Sequence, residues 1–103
     1  MKCWVQIVDS QGAAYKGSTA TKISIDDDAD IDDLRVAVKL NYPKMLSSFE
    51  ASQLTVYKSM DDIHNSQPFE VDCPISGLGN IKDKALVVVV PEGSQQGMII
   101  QLL

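Results

Sequence analysis

Histidine and cysteine are almost absent: 103 residues hold one His, His64, and two Cys, Cys3 and Cys73. Any Ser/His/Asp or Cys/His nucleophilic arrangement would have to run through that one imidazole. Two thiols are too few for a disulfide framework, and their separation of 70 residues matches no metal-ligand spacing. Buried free thiols are the simpler expectation, with one disulfide as the alternative. Long apolar runs are missing as well. Met1-Lys2-Cys3-Trp4-Val5-Gln6-Ile7-Val8-Asp9 reaches an aspartate before the h-region of a secretory signal can form. No stretch approaches the roughly 18 apolar residues of a membrane span. There is no basic run either: nine Lys and Arg are scattered against fourteen acidic residues, for a formal net charge of -5. That balance disfavours nucleic acid and anionic membrane as partners of this domain. The chain does not end in a diglycine, so conjugation as a modifier is not expected. One domain's length of chain with 45% apolar and 22% charged residues is left as an ordinary soluble globule with a single core.

What is present alternates. In residues 3–9, Cys3, Val5 and Ile7 share one side and Trp4, Gln6 and Val8 the other, the period of a first strand. A loop follows over 10–18, and residues 20–26 alternate again with Thr21, Ile23 and Ile25 together, a second strand antiparallel to the first. The period then changes to about 3.6, with Ile31, Leu34, Ala37, Val38 and Asn41 on one face of an amphipathic helix. Asp30 suits its N-cap, Asp32 and Asp33 its first turn, and Pro43 its end.

After a linker, Leu54-Thr55-Val56-Tyr57-Lys58 reads as a third strand. Residues 59–74 read as an irregular connection with room for a short strand near Phe69-Glu70-Val71, and a turn-rich crossing continues to Asn80. Lys84-Ala85-Leu86-Val87-Val88-Val89-Val90 is the strongest strand; its valine run implies burial on both faces and a central place. A hairpin, one helix across the sheet, and a last strand beside the first make an α+β fold of the ubiquitin-like β-grasp plan, with a mixed sheet. A split ferredoxin-like sheet would need a second helix after Tyr57, and the prolines and turn residues from 59 to 80 argue against one.

Three clusters could carry chemistry. Cys73 is the obvious thiol partner for His64, but it lies between Asp72 and Pro74 rather than in a basic setting, so a solvated loop histidine is expected and catalysis is not. Asp26, Asp28 and Asp30 occupy the first odd positions of a calcium loop, yet Ile31 stands where that loop needs Gly and Ala37 where it needs Glu. A capped helix start is the better reading. Gly77-Leu78-Gly79-Asn80 precedes no helix pattern and carries no Lys-Ser/Thr pair, so it reads as a turn feeding the last strand, and no cofactor motif is present.

Asp26-Asp27-Asp28-Ala29-Asp30-Ile31-Asp32-Asp33-Leu34-Arg35-Val36-Ala37-Val38-Lys39, then Leu54-Thr55-Val56-Tyr57-Lys58, then Ala85-Leu86-Val87-Val88-Val89-Val90-Pro91-Glu92 resemble, in order and spacing, the N-terminal domain of Crinkler effectors. These are secreted proteins of oomycetes and some fungi, and their N-terminal domain is regarded as ubiquitin-like. In the family an acidic turn leads into "VDDLK", a strand carries an LFLAK-type motif, and "HVLVVVP" closes the domain. The matching positions here are Leu54, Val56, Tyr57 and Lys58, and Val88, Val89, Val90 and Pro91. Val56-Tyr57-Lys58-Ser59-Met60 departs from LFLAK, and the interval from 59 to 84 is too short for the oomycete DWL region, as in the short fungal-type variant.

The resemblance implies a non-enzymatic module over residues 1–92 that accompanies secretion and entry into a host cell, with any further activity in a C-terminal domain. Its localisation would be extracellular and then inside the host. The competing expectation is an intracellular ubiquitin-like adaptor that binds a protein partner through the exposed sheet face or the acidic helix start. Residues 93–97 have linker composition. Residues 98–103 are apolar, and are expected to dock in this molecule or a neighbour, a route to self-association, or else to begin a further domain.

Overall fold

In a computed structural model, which describes residues 2–65 and 67–91, the first alternating segment is β1 (Lys2–Val8). The expected linker and tail at 93–103 lie outside the described residues. β1 pairs antiparallel with β2 (Thr21–Ser24), Cys3 opposite Ile23 and Val5 opposite Thr21. The second strand stops at Ser24, two residues before the expected end, and Ile25 packs on the core from the loop that follows. Between the strands, the Asp9 carboxylate accepts from the N–H groups of Gln11 and Ala13 at 2.9 and 3.0 Å, which turns the chain locally.

The helix α1 (Ile31–Asn41) opens with a reciprocal cap: the Asp33 N–H donates to the Asp30 carboxylate at 2.9 Å, and the Asp30 N–H donates to the Asp33 carboxylate at 3.1 Å. Ile31, Leu34 and Val38 are buried by it and Ala37 partly so, whereas Asn41, expected on that face, is exposed. Asn41 instead donates its side-chain amide to the Ala37 carbonyl at 2.9 Å. The helix ends at Tyr42, the residue before Pro43, where a following proline disfavours helical backbone.

The expected linker contributes to the core. Leu46 and Phe49 are buried, and the Lys39 ammonium holds their turn by donating to both of their carbonyls, at 3.3 and 2.5 Å. Arg35 does the same further along, donating to the carbonyls of Ser52 and Leu54 at 3.2 Å each while pairing with Asp32 at 2.6 Å. β3 (Thr55–Tyr57) follows.

Two expectations for 59–74 change. A single helical turn, α2 (Asp62–Asn65), interrupts the irregular stretch, with Asn65 donating its side-chain amide to the Asp61 carbonyl at 2.9 Å. The strand near Phe69 does not form. The Phe69 N–H makes one bond to Val56 O at 2.8 Å, and then the carbonyls of Val71 and Cys73 turn to accept from the N–H groups of Asp32 and Ile31. The segment closes the helix start, where free N–H groups would otherwise need partners.

β4 (Leu86–Val89) lies between β1, to which it is parallel, and β3, to which it is antiparallel, so the sheet order is β2-β1-β4-β3. All four of its residues are buried, and Val90 after them is 3% exposed. The molecule is α+β, a four-stranded mixed sheet with one main helix across it, a β-grasp-like arrangement. Gly79 fits the last strand to the first: its carbonyl accepts from Trp4 N–H at 2.7 Å, and a Cβ there would stand 2.7 Å from Cys3 Sγ and 2.9 Å from Trp4 O. No helix among the described residues is long and apolar enough to cross a membrane.

Candidate functional site

The positions that carry the family resemblance become neighbours. β3 and β4 pair so that Thr55 faces Val89, Val56 faces Val88 and Tyr57 faces Val87. Leu54, Val56, Val88 and Val90 all belong to the core under α1. Val89 is buried in a second cluster on the opposite face, with Tyr57 packed against it. Pro91 is half-buried, and Lys58 alone is exposed. A set with this burial holds strands together. It offers a partner little beyond Lys58 and part of Tyr57.

The other expected candidates are dispersed. His64 lies in α2, not in a loop, and its neighbour Ile63 packs on the second cluster. Cys73 packs against the main core, with its carbonyl on the Ile31 N–H. The histidine's helix and the thiol therefore sit on opposite faces of the sheet. Both cysteines are free thiols: Cys73 is half-buried, and Cys3 is fully buried, where desolvation pushes its thiol up to about 11. A thiol held protonated is a poor nucleophile. The acidic run caps α1 as described. Among the described residues no group of three or more His, Cys, Asp or Glu is placed to hold a metal ion.

An open groove of about 1250 Å³ lies on the face of the sheet opposite α1. Among the described residues, the second cluster covers only part of that face. Val8, Val87 and Val89 are roofed by Tyr57 and Ile63, and Gly12 brings the β1–β2 loop to Ile63 Cδ1 (3.7 Å from a Cβ built there). Beside that roof, Gln6 and Val87 line the floor, Ser18, Thr19 and Ala20 one wall, and Met60 the other. The wall from the β1–β2 loop is tied down: Gln6 donates its side-chain amide to Ser18 O at 2.9 Å, and the Ser18 hydroxyl donates to Ile7 O at 2.7 Å. Lys58, Lys82 and Lys84 stand around it with Asp62 and Asp83.

Sequence reasoning treats these lysines as scattered, because Lys58 is separated from Lys82 by the whole irregular crossing. Only the pairing of β3 with β4 brings the end of one strand beside the approach to the other. The exposed sheet face is where the adaptor reading expects a partner, and the groove lies on it. No family model matches the chain, and no curated protein matches it.

Proposed function

We propose that the chain is a non-enzymatic, protein-binding delivery domain of the Crinkler type, which accompanies an attached domain out of the producing cell and into a host cell. The observation that carries the reading is the place of the three resembling segments in one β-grasp-like fold. The acidic run caps the main helix, Leu54-Thr55-Val56-Tyr57-Lys58 contains β3, and the valine run is the central β4 beside it. A non-enzymatic role is supported by a Cys3 thiol locked in the core and by the placing of Cys73 and the helix of His64 on opposite faces. The departure from LFLAK at 56–60 gives no support to a role tied to that motif.

The intracellular adaptor is the second reading, and the open groove favours it, since a sheet face left partly uncovered beside a packed cluster suits protein recognition with no delivery step. A reporter fused after Glu92 and expressed in the organism of origin separates the two. The delivery reading expects the reporter inside cells of colonised host tissue. Retention in the producing cell, with the fusion folded, overturns it in favour of the adaptor.

A further inference from the structure

We infer that the groove on the face opposite α1 receives an extended acidic peptide segment of a partner protein, with its apolar side chains against Met60 and the groove floor and its carboxylates on Lys58, Lys82 and Lys84. The inference rests on the reading of the chain as a protein-binding module and adds the chemistry of the partner.

Charge carries the argument. The protein has a net charge of -5, yet three lysines outnumber two aspartates around this groove. All three lysines are exposed. Asp62, by contrast, already accepts from the Ser59 hydroxyl at 3.2 Å. The acidic run of residues 26–33 lies elsewhere, around the start of α1, so negative charge is drawn away from the groove. A segment entering here exchanges the repulsion of the whole molecule for a locally positive rim.

Shape selects the form of the ligand. The groove is open and has an apolar side at Met60, 44% exposed, with Val87 beneath it. An extended peptide alternates its side chains, so one set can face the apolar side while the other reaches the ammonium groups. Lys58 stands at the end of β3, and Lys82 and Lys84 on the 3-10 turn Lys82–Lys84 that leads into β4, so cations stand at more than one place along the groove. Nucleic acid is a poorer fit, because Asp62 and Asp83 line the same groove and the net charge opposes a polyanion.

The test uses the full chain as bait for a phage-displayed library of random dodecapeptides, followed by fluorescence anisotropy with the most enriched peptide. The expected pool carries Asp and Glu flanking an apolar residue. Charge reversal at Lys58→Glu, Lys82→Glu and Lys84→Glu together should weaken that peptide about tenfold or more, and added salt should weaken it in the wild type. The pair Lys16→Glu and Lys44→Glu, outside the groove, should leave binding nearly unchanged. Circular dichroism checks folding, and the matching Lys→Gln triple variant replaces the Glu variant if that one unfolds.

A pool that is basic or neutral, no enrichment over bare phage, or equal affinity for the triple variant overturns the inference. So does displacement of the peptide by oligothymidylate or heparin at matched charge, which would mark unspecific attraction of polyanions. Peptide binding without reporter delivery keeps the groove and removes the delivery role. Reporter delivery without peptide binding removes the groove and keeps the delivery role.

Discussion

The two faces of the sheet are made by the same strands, yet they are finished in different ways. Under α1, Val5, Ile7, Ile23, Leu34, Val38, Leu54 and Leu86 are each at most 2% exposed, and the turns holding Leu46, Phe49 and Ile75 seal the margins. On the other face, among the described residues, Val8, Val87 and Val89 with Tyr57 and Ile63 close only a small cluster, and beside it lies the lysine-rimmed groove. A chain of this length has apolar residues enough for one large core, and it places them on the helix side. Among the described residues, the face opposite α1 is then left with partial cover and a polar rim, and a binding surface can form there without opening the main core.

The largest effect that would break this comparison is a cavity on each side. Leu34→Ala should cost about 2 to 5 kcal/mol, enough to threaten the fold, because the residue is completely buried beneath the helix. Val87→Ala removes less volume from a smaller cluster and should cost about 1 to 3 kcal/mol. Urea unfolding of the two variants decides the matter. If Val87→Ala is the more damaging, the stabilising core is not on the helix side.

Next in size is Gly79→Ala, at the junction between the strand under the helix and the crossing that feeds β4. Its φ is +60°, and the new Cβ would press on Cys3 Sγ and Trp4 O. Strain of this kind costs about 1 to 3 kcal/mol. Adding Cys3→Ala removes one of the two clashes, so the double variant should lose less than the sum of the single losses, as coupled neighbours do. Strict additivity in thermal melts would show that the thiol and the glycine do not meet.

These same residues show how much of the fold is legible in the chain. The alternation at 3–9, the valine run and the Asp30 cap each rest on a local signal, and each stands where that signal puts it. Leu46 and Phe49 have no such signal, because residues 42–53 show no sustained period. Their burial depends on Lys39, whose reach to two carbonyls is a tertiary contact; the apolar pair at i, i+3 is the one available hint. The one-turn helix α2 is shorter than a period can register. The groove is hidden for the same reason: it is assembled from the β1–β2 loop, the end of β3 and the approach to β4, and no window of the chain contains it. Local signals encode the strands, while the site is made by how they are joined.

A smaller effect tests the helix side alone. Asp30→Ala removes the acceptor for Asp33 N–H and should cost about 1 kcal/mol, within the usual range for an N-cap. Asp30→Asn keeps an acceptor and should recover most of it. A loss equal in both variants, read from urea midpoints, would assign the effect to the negative charge at the helix start rather than to the cap.

The smallest effect concerns the Cys3 thiol, and it is visible only at alkaline pH. Cys3, buried in the main core, has its thiol raised from 9.0 to about 11 by desolvation, so the folded state holds that proton where the unfolded chain has released it. Below pH 9 both states keep the proton and Cys3 contributes no pH dependence. As pH rises from about 9 to about 11, the unfolded chain binds fewer protons than the folded one, and stability falls. The measurement is a difference, in which every group shared by the two proteins cancels: the melting temperature of the wild type should drop more steeply from pH 9 to 11 than that of Cys3→Ala. Parallel curves for the two proteins would mean that Cys3 ionises as easily in the fold as outside it, and that the helix side is not closed to water at β1.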